Sequence, residues 1–357
     1  MSFDNNLRLI KRMASALPDD QAMVVLYEPD TEAGATDLAA YGIETIPFEN
    51  GLNFAFKMIP LIMGAHTVFC DNYYPFLGGL IHSNRLKIIQ LWHANGAIKR
   101  FGWEDPKTAH RSKSDKRRFQ AVYNQFDEYV VASDTMGHVF EHSYHVPFER
   151  MQKLGYPRSD RFFKADWIQQ AQAHVYAVAP ELKDKRVILY APTYRDGLAF
   201  NPPADLSKAI TADSEAEVVV KLHPLLKQKE AEIAIAKSHS GNSKIHFYNQ
   251  LSTTELLSVT DTLVTDYSSV AFDYSLLPNA HSLLFFMFDL DEYKQNTGLQ
   301  TDLLKWLPSA PILNTKDLAS AIKQNAKTDL TKFNQHWNTY NDGFATKRVI
   351  ERYIENR

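Results

Sequence analysis

The chain is expected to be an α/β protein made of two Rossmann-like units with parallel sheets. Short β-branched runs alternate with amphipathic stretches from end to end, the pattern of strands covered on both faces. The 357 residues suit two domains, at a prior of roughly 150 residues each. A polar stretch without strand signal, Ser159–Asp184, separates two series of such runs. These observations place a first unit at 1–165 and a second at 166–357, with the last helix able to pack back on the first.

In chain order, a helix is expected over Asp4–Leu17, then strands at Ala22–Tyr27, Thr67–Cys70, Leu86–Trp92 and Tyr129–Ala132, and a helix at Thr135–Tyr144. The second series has strands at Val187–Ala191, Val218–Leu222, Ile245–Tyr248, Thr262–Thr265 and Ser282–Phe286. Helices are expected at Lys227–Ser238 and Ala345–Asn356. Ser252-Thr-Thr-Glu255 is a capping-box signature ahead of Leu256-Leu257, because the serine and glutamate can satisfy each other's backbone amides.

Composition excludes several classes. The 39 basic and 42 acidic side chains leave a net charge of −3, which argues against nucleic-acid binding by bulk charge. A hydrophobic share of 45% is that of a folded globular protein. One cysteine, Cys70, excludes an internal disulfide, and its place at the end of an apolar run marks it as a buried thiol. The N-terminus mixes charge with apolar residues and reads as no signal peptide. The longest apolar stretch, Leu52 to Phe69, is broken by Asn53, Lys57, Pro60, Gly64 and His66, so no membrane span is expected.

In open α/β sheets, ligands bind beyond the carboxyl ends of the strands. Four strand ends here carry side chains suited to phosphate. LKIIQLW is followed by His93, Asn95, Gly96 and Lys99; VILYA by Arg195 and Asp196; VVVKL by His223-Pro224; and TLVT by Asp266-Tyr-Ser268-Ser269. The two serines sit where a strand hands over to a helix, whose first amides attract anions, though one of them can simply cap that helix. Arg195 is a five-donor fork for phosphate or one half of an ion pair with Asp196. His223 can donate to a phosphoryl oxygen or serve structurally. His93 has the side chain needed for a general base near neutrality.

The run Pro106–Arg118 carries Lys107, Arg111, Lys113, Lys116, Arg117 and Arg118. It is either a solvated face or a patch for anionic lipid, at ~1 kcal/mol per basic residue near such a surface. Asp289-Leu-Asp291 superficially matches an acidic metal triplet but reads as an exposed loop. No Walker loop and no GxGxxG is present.

Taken together, Gln90-Leu-Trp-His-Ala-Asn-Gly-Ala-Ile-Lys99, Gly155-Tyr-Pro-Arg-Ser-Asp160, Tyr190-Ala-Pro-Thr-Tyr-Arg-Asp196, Lys221-Leu-His-Pro224 and Asp266-Tyr-Ser-Ser-Val-Ala-Phe-Asp-Tyr274 resemble the CDP-glycerol glycerophosphotransferase family of teichoic-acid synthesis. Polymerases of that family usually carry Trp-His-Gly-Thr at the first station. Ala94-Asn95 replaces Gly-Thr here, and with Phe101-Gly-Trp-Glu-Asp and the basic run the chain is more similar to the short primase branch.

The resemblance implies a GT-B fold, two Rossmann-like domains facing across a cleft. CDP-glycerol would be the donor substrate, with no metal or cofactor. One sn-glycerol 3-phosphate would pass to the undecaprenyl-pyrophosphate-linked N-acetylmannosaminyl-N-acetylglucosamine acceptor, and CMP would leave. His93 would be the general base. Arg195, His223, Ser268, Ser269 and Asp266 would hold the donor, with His223 also a catalytic candidate. Asn95, Gly96, Lys99, Arg158 and Asp160 would meet the acceptor or its lipid pyrophosphate, and the basic run the membrane. The implied location is the cytoplasmic membrane face, as a peripheral protein; contact with further copies or other teichoic acid enzymes is left open. Rival readings are a glycerol- or ribitol-phosphate polymerase, a GT-B nucleotide-sugar glycosyltransferase and a non-catalytic membrane-surface scaffold.

Overall fold

The computed structural model describes residues 3–195, 200–222 and 244–355. The chain divides into two compact units, one of Met1–Ala94, Gly102–Asp160 and Asn338–Arg357, the other of Asn95–Phe101 and Arg161–Trp337.

In the first unit β1 (Val24–Tyr27) pairs in parallel with β2 (Glu44–Pro47). A four-stranded parallel sheet follows in the order β3 (Thr67–Cys70), β4 (Lys87–Gln90), β5 (Glu128–Val130) and β6 (Met151–Gln152). Helices Phe3–Ala16, Lys113–Gln125 and Asp134–Tyr144 belong to this unit. Ser133 accepts the Met136 amide and caps the last of these helices. Cys70 is buried, and burial, reinforced by the neighbouring Asp71 charge, pushes its thiol far up.

The C-terminal segment is built into this unit. Helix Ala345–Ile350 continues as a π-helical turn over Glu351–Glu355. Arg352 makes a bidentate pair with Glu128 at 2.9 and 2.9 Å, and the Tyr353 hydroxyl donates to the same carboxylate at 2.7 Å. Burial would raise the Glu128 carboxyl, but these contacts outweigh it and hold the group below its usual range.

In the second unit all strand pairs are again parallel. The strands are β7 (Arg186–Ala191), β8 (Ala216–Val220), β9 (Ile245–His246), β10 (Thr262–Thr265) and β11 (Ser282–Phe285), in the order β11-β10-β7-β8-β9. The chain winds outward from β7 to one side, returns, and winds outward from β10 to the other. That reversal makes β7 and β10 the switch point of the sheet, and open α/β sheets bind ligands beyond the carboxyl ends of such strands. Ile188, Tyr190, Val218, Val220, Val264, Phe286, Leu318 and Ile322 fill one face of the sheet. Helix Ala165–Val178 occupies the stretch without strand signal. The capping box forms between Ser252 and Glu255 as its spacing predicts. The helix expected at Lys227–Ser238 lies outside the described residues.

Candidate active site

The carboxyl ends of β7 and β10 are joined by Arg195. This side chain is 2% exposed. Its Nε donates to Asp289 at 2.7 Å, one terminal nitrogen to Asp266 at 2.8 Å and to Asp289 at 3.2 Å, and the other to the Thr193 carbonyl at 2.6 Å. Burial opposes the guanidinium charge, but the two carboxylates outweigh it and push its pKa further up. Asp266, 1% exposed, also accepts the amides of Thr193 and Tyr267 at 2.7 and 2.6 Å. The Tyr267 hydroxyl donates to Asp289 at 3.0 Å, and its ring stacks on Tyr293 at 3.6 Å.

Arg195 is held by the carboxylates of Asp266 and Asp289 rather than offered to a phosphate, Asp196 lies outside the described residues, and Asp289 is a half-buried member of the network rather than an exposed loop acid. Together these residues tie the segments that follow β7, β10 and β11 into one network. Nothing in local spacing signals the Arg195–Asp289 pair, which spans 94 residues.

Ser268 and Ser269 follow β10 just after Asp266, both partly exposed. Ser268 Oγ accepts the Val270 amide at 3.4 Å. Ser269 occupies the cap position of the short helix Val270–Tyr274 without a side-chain capping bond. Beside β8, Lys221 donates to the carbonyls of Tyr248 and Leu251, and burial lowers its pKa. His223 lies outside the described residues.

The segment Asn95–Phe101 packs within the second unit. Gly96 has φ +60°, and a Cβ there would stand 2.6 Å from the Phe272 ring, so the close approach requires glycine. Asn95 is fully buried. Lys99 bridges Leu299, and its carbonyl accepts from Gln300 at 2.8 Å. These positions dock the segment; of the three, only Lys99 keeps partial exposure.

In the first unit His93 is exposed. Its Nδ1 lies 3.2 Å from the Asp71 backbone carbonyl. A carbonyl oxygen only accepts, so Nδ1 carries the proton and the neutral ring has its basic lone pair on Nε2. The Asp71 side chain is anchored by Asn6 at 3.1 Å and by Tyr74 at 2.9 Å. Burial raises the Asp71 carboxyl, and those hydrogen bonds offset only part of the rise. Asp71 and Tyr74 were not singled out from sequence, since their roles depend on a contact across 22 residues.

The Gly155–Asp160 motif clamps the C-terminal segment. Gly155 has φ +76°, with no room for a Cβ beneath the Tyr340 carbonyl. The Tyr156 amide donates to Asn341. Asp160, 6% exposed, accepts the amides of Ala345 and Thr346 at 2.9 and 2.8 Å. The carboxylate read from sequence as an acceptor contact therefore caps a helix. Arg158 is half-buried in the turn Pro157–Phe163. In the basic run Lys107, Arg111, Lys113, Arg117 and Arg118 are exposed, while Lys116 is half-buried and donates to the Ala109 carbonyl. Among the described residues, no cluster of three or more His, Cys, Asp or Glu could hold a metal ion.

Two parallel-sheet α/β units, one with a switch in strand order between β7 and β10, define a protein of the GT-B type. The solved wall teichoic acid polymerase TagF matches with a TM-score of 0.67 at 18% identity, over 99% of this chain and 94% of that one. Residues 5–355 match the CDP-Glycerol:Poly(glycerophosphate) glycerophosphotransferase family, and the chain belongs to it. The teichoic acid glycerol-phosphate primase of Bacillus spizizenii strain W23 is 32% identical over 82% of this chain and 75% of the relative. That of Bacillus subtilis strain 168 is 28% identical over 100% of this chain and 90% of the relative. This is a transferase of teichoic acid biosynthesis, in a family that uses CDP-glycerol.

Proposed function

We propose that the protein primes wall teichoic acid. It transfers one sn-glycerol 3-phosphate from CDP-glycerol to undecaprenyl-pyrophosphate-linked N-acetylmannosaminyl-N-acetylglucosamine and releases CMP. The observation that carries this reading is the Nδ1 contact of His93 with the Asp71 carbonyl, which fixes the basic nitrogen as Nε2. The similarity to glycerol-phosphate primases supports the choice of product.

In this mechanism Nε2 takes the proton of the acceptor hydroxyl. The oxygen then attacks the phosphorus that bears glycerol, a new P–O bond forms, and the bond to the bridging oxygen breaks. CMP departs with that electron pair. Positioning and electrostatics dominate phosphoryl transfer, so the protein's part is to hold the diphosphate. Ser268 and Ser269 would supply hydroxyl and backbone donors at the end of β10, and His223, read from the sequence alone, is proposed as a further donor contact. The reaction as written requires no cofactor.

Incubation with CDP-glycerol and a synthetic lipid disaccharide, followed by mass spectrometry, tests the reading. A single added glycerol phosphate is expected. A ladder of additions would make the protein a polymerase, and absence of CMP release would leave a scaffold. Turnover of nucleotide sugars in place of CDP-glycerol would make it a glycosyltransferase.

The acceptor's lipid calls for a membrane surface, here the cytoplasmic face, met peripherally. No helix among the described residues is long and apolar enough to cross a bilayer. Support for docking comes from the exposed run of basic residues and from three projecting apolar side chains of the same unit, Leu52 at 76%, Phe56 at 75% and Ile81 at 93% exposure. Arg111→Gln, Arg117→Gln and Arg118→Gln together should weaken partition to anionic vesicles about a hundredfold, from ~1 kcal/mol per charge. Equal partition in a sedimentation assay would leave the run a plain solvated face.

A further inference from the structure

The turn that presents His93 is conformationally costly, and one buried amide holds it. The ladder between β3 and β4 extends one residue past β4, the Leu91 amide donating to the Cys70 carbonyl at 2.7 Å. Trp92 then adopts φ +62°, a left-handed conformation that bulky residues rarely take. This reversal lifts the next residue, His93, out of the ladder and over the turn that follows β3.

Gln90 is the last residue of β4 and is 2% exposed. Its side-chain oxygen accepts the Trp92 amide at 2.8 Å, and its side-chain nitrogen donates to the Asn72 carbonyl at 3.1 Å. An amide N–H requires an acceptor and a carbonyl requires a donor, so both contacts demand the same orientation of the Gln90 amide. One planar group thus joins the strained residue before His93 to the residue after Asp71, whose carbonyl fixes the imidazole. The Trp92 indole packs edge-on against Phe140 at 5.2 Å and leans on the His93 ring at 4.2 Å. A shift of the turn therefore moves the imidazole with it.

We propose that Gln90 is a positioning residue, which holds the Trp92 turn and the Asp71–Asn72 turn in register so that His93 keeps its Nδ1–H tautomer and presents Nε2 for proton abstraction. The proposal rests on the reading of His93 as general base. It adds a group that does not touch substrate and acts only through the histidine.

The test uses the full chain with two substitutions. Gln90→Met keeps the length of the side chain and removes both hydrogen bonds. Gln90→Glu keeps the acceptor for Trp92 and sets a carboxylate oxygen against the Asn72 carbonyl; it serves where the methionine variant does not fold. Turnover should fall about ten- to a hundredfold, the effect of an ångström-scale misplacement, with the KM for CDP-glycerol unchanged. In a His93→Ala background the same substitution should cause no further loss, because residues that act as a unit are non-additive. An equal loss in both backgrounds, or full activity of the Gln90 variants, would overturn the proposal.

An activity-independent arm separates the two layers of inference. Nitrogen-15 labelling of histidine, with His93 assigned by its disappearance in His93→Ala, reads the tautomer directly. The Nδ1–H form is expected in the native protein and a mixture in the Gln90 variants. A native Nε2–H form, or a tautomer indifferent to Gln90, would overturn the positioning role. A fully active His93→Ala would overturn the base assignment instead, leaving the tautomer measurement to decide the role of Gln90.

Discussion

His93→Ala is expected to lower turnover by ~10²–10⁴-fold, the usual contribution of a positioned base, with CDP-glycerol affinity unchanged by calorimetry. The direction follows from the ring's attachment. With Nδ1 donating to the Asp71 carbonyl, the lone pair that accepts a proton is on Nε2, and alanine removes it. Because the imidazole must be neutral to accept, the native rate should decline on the acid side of the pH profile and the variant should lose that limb. Donor binding should be retained because His93 belongs to the first unit, while the proposed donor residues Ser268 and Ser269 belong to the second. CMP release at near-native rate by the purified variant would remove His93 from the mechanism.

What the sequence displayed and what it concealed divide along a physical line. Buried parallel strands announce themselves as continuous apolar runs, and Thr67–Cys70 and Thr262–Thr265 match their expected limits to the residue. β2 and β6 escaped notice because neither has a run to see. β2 is only partly buried and ends in proline, and β6 has two residues. Local capping chemistry was equally readable, as Ser252 and Glu255 demonstrate. Partner choice was not. Adjacency offers no hint that Arg195 is held by Asp266 and Asp289, which the fold brings in from 71 and 94 residues away. Asp160 similarly finds the amides of a helix 185 residues further along the chain. Such contacts depend on strand order and loop geometry, which a linear pattern of hydrophobicity does not encode. The chemistry-bearing residue types were therefore visible, but which of them tie strand ends together and which clamp a helix depends on the three-dimensional fold.

Arg195→Met is expected to lower the unfolding free energy by about 3–5 kcal/mol, the penalty for breaking a buried ion pair from one side. The native guanidinium answers two carboxylates at once, and Asp266 and Asp289 have side chains only 1% and 14% exposed. Methionine fills much of the volume but leaves both acids without their cation. Urea titration of the native and variant proteins measures the loss directly. Adding Asp289→Asn to the variant should recover part of it, since one uncompensated charge is then gone and the cycle is non-additive. A phosphate ligand would behave otherwise, with weaker CDP-glycerol binding, an unchanged urea midpoint and no response to Asp289. An unchanged midpoint would return Arg195 to the donor and leave the ends of β7 and β10 to other contacts. The expected result instead makes the ion triad a precondition of the proposed donor site, because it joins the end of β7 to the end of β10, which Ser268 and Ser269 follow.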